Sequence, residues 1–160
     1  MKKFMMIFAA TIILIVAALL LVSPTYLVLK NTDTGEIYEK WKLSEISTFE
    51  VEFIHSVNKT PVADIYEIRQ KEIILSATRY RGFGAGVPTA IEGDQVLEYD
   101  NEGNMIITGY NVTLPSVSYV VGTVYDHILT INETTSINLT QTCGKNSHVT
   151  FIIERRHPWD

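Results

Sequence analysis

The chain has 160 residues, of which 46% are hydrophobic and 19% charged, and its formal net charge is −5. This length fits one domain plus a short appendage, and the apolar content is too high for a disordered chain. The acidic balance lacks the clustered basic residues of a nucleic-acid surface, so that class of partner is excluded.

The N-terminal residues predict a membrane segment. Lys2 and Lys3 precede residues 4–22, which contain no charged side chain. As a helix this run would be about 28 Å long, close to the roughly 30 Å of a hydrocarbon core. Because the two lysines favour a cytoplasmic N-terminus, we expect residues 1–25 to anchor the protein in the cell membrane and residues 26–160 to form an extracytoplasmic domain. A cleaved signal peptide is the alternative, although the run exceeds the usual apolar region of such peptides and no small-residue cleavage site follows it.

From residue 26 onward, short alternating segments separated by turn residues predict an all-β fold. We expect an antiparallel β-sandwich or a barrel-like domain. The predicted strands are 26–30, 37–43, 49–57, 62–68, 73–80, 96–99, 105–110, 116–121, 124–131, 136–141 and 148–154. The single cysteine, Cys143, excludes an internal disulfide and lies at a predicted hairpin end.

Residues 49–68 predict a hairpin that pairs a histidine with an aspartate. If Val57 and Val62 close a four-residue loop, His55 lies opposite Asp64 on a face that is otherwise apolar. Directly opposed side chains have Cβ atoms about 4.5–5.5 Å apart, which is close enough for a hydrogen bond. Such a pair is either structural, with Asp64 satisfying a buried His55, or functional, with Asp64 orienting His55 toward a ligand, a proton or a metal.

Other residues of catalytic type give weaker signals. Ser56 follows His55 and suggests a Ser-His-Asp arrangement, but in a regular strand it points to the opposite face. His127 is in phase with inward-facing residues of the predicted strand 124–131. No histidine or acid has a spacing that predicts a metal site.

Residues 81–88, with the sequence RGFGAGVP, contain three alternating glycines. The spacing matches neither a dinucleotide-binding fingerprint nor a P-loop, so no cofactor is predicted. The segment is either a tight crossing between strands or a loop whose N–H groups line a small site.

Together these motifs resemble the bacterial domain-of-unknown-function family 1850. The similar positions are His55, Ser56, Val57, Lys59, Thr60, Pro61, Val62, Asp64, Tyr66, Phe83, Gly84, Ala85, Gly86 and Pro88, and Val121, Gly122 and His127 resemble a later motif. The family resembled has a glutamate where this chain has Asp64, so an acid is retained on a shorter side chain. The candidate functional residues are His55, Ser56, Thr60, Asp64, Tyr66, Gly84, Gly86 and His127.

The resemblance also implies an N-terminal membrane segment and association with TRAP transporters of the TAXI type, beside which family members are often encoded. We therefore expect a membrane-anchored binding or accessory protein. The alternatives are an enzyme or metal-binding protein that uses His55 and Asp64 beside the glycine loop, and a structural envelope protein. An enzyme requires an open pocket where these groups meet, whereas an accessory protein requires an exposed apolar or complementary surface.

Overall fold

The computed structural model describes residues 24–57, 59–81 and 91–156, together with Phe4, Phe8, Thr11 and Ile12. The predicted anchor therefore lies almost wholly outside the described residues. Within the described part, no helix combines the length and the apolar character needed to cross a membrane.

The described residues form an all-β domain, as the sequence predicts. The strands are β1 (Thr25–Asn31), β2 (Ile37–Lys42), β3 (Thr48–Ile54), β4 (Pro61–Arg69), β5 (Glu72–Tyr80), β6 (Val96–Tyr99), β7 (Met105–Leu114), β8 (Ser116–Val120), β9 (Ile128–Ile131), β10 (Thr135–Asn138) and β11 (His148–Arg155). One 3-10 turn (Leu43–Glu45) and one short helix, α1 (Leu139–Cys143), accompany them.

Four of the predicted strands differ in extent by three or more residues at one end. The predicted strand 49–57 ends at Ile54, and the predicted strand 105–110 continues to Leu114. The predicted strand 124–131 is reduced to β9, because residues 121–127 form a loop. The predicted strand 136–141 ends at Asn138, whose side chain accepts the N–H groups of Thr140 and Gln141 and so starts α1. Cys143 therefore ends a helix and is buried in the core, where burial raises the pKa of its thiol to about 11.

The strands form two antiparallel sheets. One has the order β2-β1-β11-β8, and the other has the order β10-β9-β3-β4-β5-β7-β6. The main core contains buried residues from both sheets, which is the packing of a sandwich. Phe49 of the larger sheet lies at the centre, with its ring centroid 4.8 Å from that of Tyr66 and 5.2 Å from that of Phe151 in the smaller sheet.

Strand direction gives the sandwich two distinguishable ends. β1 begins at Thr25, opposite Arg155 of β11, and this end also holds the turn between β4 and β5. We call it the N-terminal pole. The hairpin loop 55–60, the end of β5 and the loop 121–127 lie at the other end, which we call the far pole.

Candidate functional site

The central hairpin has a different register from the predicted one. Val51, not His55, lies opposite Asp64, and Phe53 lies opposite Val62. The predicted pairing of His55 with Asp64 is therefore wrong: along β3, His55 is four residues from the position opposite Asp64, or about 13 Å. The shift is an even number of positions, so the predicted inward face of each strand is retained.

Two features explain the observed register. It places Phe49 opposite Tyr66, where the two rings stack in the core. It also makes Pro61 the first residue of β4, a position that a residue without an N–H donor can occupy. The loop closes two residues earlier than predicted, at His55 and Thr60 in place of Val57 and Val62, with the N–H of His55 bonded to the carbonyl of Thr60 at 2.9 Å.

His55 belongs to this turn. Its Nδ1 accepts the N–H of Val57 at 3.3 Å, and its carbonyl accepts the N–H of Lys59 at 2.9 Å. Ser56 is exposed and Thr60 is partly buried. Three candidate residues, His55, Ser56 and Thr60, are therefore neighbours at the far pole, but they do not include the acid that the sequence paired with them.

The partner of Asp64 is a tyrosine from the other sheet. Asp64 accepts a hydrogen bond from Oη of Tyr119 at 3.0 Å and another from Oγ1 of Thr78 at 3.1 Å. Oη of Tyr119 is 2.7 Å from Oη of Tyr66. Since the Tyr119 hydroxyl donates to Asp64, Tyr66 donates to Tyr119, and the chain of bonds links the two sheets inside the sandwich.

Burial determines the proton affinities in this network. Desolvation raises the pKa of Asp64, against the hydrogen bonds from Tyr119 and Thr78, which lower it. Burial and the negative charge of Asp64 also raise the pKa values of Tyr66 and Tyr119. The tyrosines are therefore neutral donors at physiological pH.

His127 lies beside this network, although it belongs to the loop 121–127 and not to the strand on which its inward phase was predicted. Its ring stacks on Phe53 with centroids 5.4 Å apart and meets Tyr119 edge-on at 6.3 Å. Nδ1 accepts the N–H of Gly122 at 3.2 Å. Burial lowers the pKa of His127, against the smaller opposing effects of the Tyr125 carbonyl and a neighbouring carboxylate, so the ring is held neutral.

Gly122 is required by close packing in this loop. A Cβ at this position would lie 2.3 Å from the carbonyl oxygen of Tyr125 and 3.2 Å from the ring of His127. The second element of the resemblance, Val121 and Gly122 with His127, is therefore a single packing unit, because the glycine lets the loop fold onto the imidazole.

A cavity of about 240 Å³ opens at the far pole. It is lined by Ile54, Ser56, Lys59, Gly122, Thr123, Val124, Tyr125 and His127. Two of these lining side chains, Val124 and Tyr125, are 79% and 41% exposed, and Val57, which follows Ser56 in the chain, is 67% exposed. Nζ of Lys59 lies 5.7 Å from the centroid of the Tyr125 ring, a cation–π arrangement. We call Val57, Lys59, Val124 and Tyr125 the far-pole surface.

The candidate residues thus divide into two layers. His55, Ser56, Thr60 and His127 surround the far pole, and Asp64 and Tyr66 lie beneath it between the sheets. Gly84 and Gly86 lie outside the described residues. Sequence reasoning missed Tyr119. The only signal for it was its inward phase with Val117 along β8, and the sequence does not show which residues of the two sheets face each other.

The described residues include no group of three or more histidine, cysteine or acidic side chains placed to hold a metal ion.

A family model described as a domain of unknown function, DUF1850, matches residues 49–139, which span the central hairpin, the far-pole loops and the start of α1. No curated protein and no solved structure is significantly similar to the chain.

Proposed function

This chain belongs to the DUF1850 family, and we propose that it is a membrane-anchored, extracytoplasmic accessory protein that binds a partner protein through the far-pole surface. The partner is a component of a TRAP-type solute transporter of the TAXI kind, as the sequence resemblance implies. The protein is a single-pass membrane protein whose β domain faces away from the cytoplasm.

The observation that most supports binding is the composition of the far-pole surface. Single exposed apolar residues are normal on proteins, but here exposed Val124 and Tyr125 line one cavity, and exposed Val57 directly follows Ser56 of the same lining. Aromatic and apolar side chains of this kind are typical centres of protein interfaces, and Lys59 supplies a charge at the rim. The hydrogen-bonded network below holds the two sheets together under this surface.

The geometry gives less support to an enzyme that uses His55 and Asp64. The observed register separates the two residues, and the Asp64 carboxylate already accepts two hydrogen bonds inside the sandwich. His55 in turn accepts a backbone N–H of its own turn.

The far pole is also well placed for a partner that extends from the membrane. β4 runs from one pole to the other over nine residues, or about 30 Å. If residues 4–22 span the bilayer, the far-pole surface lies about this distance above it. The partner is therefore an extracytoplasmic part of the transporter and not its membrane-embedded surface.

Site-specific photo-crosslinking in the native membrane tests this proposal. A photoreactive side chain at Val124 should crosslink to a transporter component identified by mass spectrometry. The matched control is Val112 of β7, which is also exposed (45%) but is not part of the far-pole surface. Val57→Asp together with Val124→Asp should abolish co-purification of that component, whereas Val112→Asp should not. Equal crosslinking from positions 124 and 112, or retained co-purification in the double variant, would contradict the proposal.

A further inference from the structure

Another cavity lies at the N-terminal pole. It has a volume of about 440 Å³. Its lining comes from the start of β1, the 3-10 turn after β2 and the turn between β4 and β5: Pro24, Thr25, Lys42, Leu43, Ser44, Ile46, Ile68, Gln70 and Lys71.

The charged side chains of this lining are both positive, in a protein whose net charge is −5. Lys42 lies 3.6 Å from Glu45, but both side chains are more than half exposed, so their attraction is weak and Lys42 remains open to another anion. Lys71 is exposed in the tight turn between β4 and β5, where its φ is 67°. Leu43, Ile46 and Ile68 supply apolar walls between the two lysines.

One residue that lines the cavity, Pro24, lies close in the chain to the predicted membrane segment. Pro24 is two residues from the end of the uncharged run 4–22. Two residues span at most about 7 Å, whereas the headgroup layer extends about 5–7 Å beyond the hydrocarbon core. When the run spans a bilayer, the cavity opens at the depth of the lipid headgroups.

We propose that this cavity binds the headgroup of an anionic phospholipid in the leaflet from which the domain emerges. Lys42 and Lys71 contact the phosphate, and Leu43 and Ile68 pack against the glycerol end of the lipid. This inference rests on the membrane anchoring in the proposed function but is independent of the far-pole partner. From the usual contribution of a basic residue at an anionic membrane surface, each lysine should raise lipid affinity about fivefold, and the two together about 25-fold.

Hydrogen exchange of the full-length chain in lipid nanodiscs tests the proposal. Exchange in residues 43–46 and 69–71 should be slower in discs that contain phosphatidylglycerol than in discs of phosphatidylcholine alone. The variant Lys42→Gln/Lys71→Gln should lose this difference. The matched control, Arg81→Gln/Lys145→Gln, removes the same charge at exposed positions outside both proposed binding surfaces and should retain it. Unchanged exchange in β1 and β11 shows that each variant is folded.

Several outcomes would overturn the proposal. Equal slowing in the two kinds of disc would exclude selectivity for anionic lipid, and no slowing in either would exclude a headgroup site. Slowing on addition of inorganic phosphate to phosphatidylcholine discs would indicate a free-anion site. Slowing that persists in the Lys42/Lys71 variant would exclude these lysines as ligands. A failure of the anchoring itself is recognised separately, because the intact chain would not remain in the discs.

Discussion

The two poles of the sandwich differ in how far they can be recognised from sequence motifs. The far pole collects the hairpin turn around His55, the Gly122–His127 loop and the end of β5 after which the glycine segment begins. The N-terminal pole has a larger cavity but is built from residues such as Lys42 and Ile68, whose sequence surroundings match no motif. The far pole can be recognised in the sequence because its loops require particular residues at fixed spacings. The N-terminal pole is built from ordinary strand ends, so it can be recognised only in the folded structure, where those ends lie together.

The largest loss of stability should come from Tyr119→Phe, which disrupts the hydrogen-bonded network beneath the far pole. This change removes the hydroxyl that donates to Asp64 and leaves a partly buried carboxylate with one donor fewer. The free energy of unfolding should fall by about 1–3 kcal/mol, as measured by urea denaturation. Tyr125→Phe is the control, because that ring is at the far-pole surface and outside the network. Equal stability of wild type and Tyr119→Phe would show that the network contributes little.

Gly122→Ala should have a somewhat smaller effect that is concentrated at the far pole. The new Cβ overlaps the carbonyl of Tyr125, so the loop must move away from His127. Because the loop is at the surface and can yield, we expect a loss of about 1–2 kcal/mol. Crosslinking from Val124 should be lost, while lipid-dependent protection at the N-terminal pole remains. Loss of both would mean that the poles are not independent.

The pH dependence of stability isolates Asp64. Its pKa in the folded state is raised above 3.8, so the folded protein binds more protons than the unfolded chain between that value and the raised pKa. The contribution of Asp64 is therefore greatest below pH 3.8 and is lost as the pH rises through the raised pKa. Measured by urea unfolding, wild type should gain stability relative to Asp64→Asn as the pH is lowered from neutral to about 4. A gain in the opposite direction would mean that the two hydrogen bonds outweigh burial.

The smallest effect on stability is expected at the N-terminal pole. Lys42→Gln with Lys71→Gln removes two exposed charges and should change the free energy of unfolding by less than about 0.5 kcal/mol. Thermal denaturation in the absence of lipid checks this. A large loss would show that the lysines stabilise the fold, and their role in lipid binding would then need variants of another kind.

The candidate site was predicted in part. The inward phase of Asp64 and Tyr66 follows from alternation along β4, and it is unaffected by the register error because the shift is an even number of positions. His127 lies in the loop 121–127, so its position does not follow from strand alternation. The predicted pairing of His55 with Asp64 is wrong, because the loop was placed at residues 58–61 with Pro61 as a turn residue, whereas Pro61 is the first residue of β4. Tyr119 was missed because a contact between two sheets does not occur at any characteristic spacing in the sequence.

The sequence by itself determined the all-β class, most strand positions and the inward face of each strand of the central hairpin, since these depend on local alternation and turn residues. The family membership of residues 49–139 was likewise visible in the motifs. Only the tertiary structure decided that Asp64 bonds to Tyr119, that the far-pole loops meet around one cavity, and that Lys42 and Lys71 border another. Each of these depends on packing between segments distant in the chain, as in the stacking of Phe49 on Tyr66 and on Phe151 of the other sheet, and such packing has no fixed spacing in the sequence.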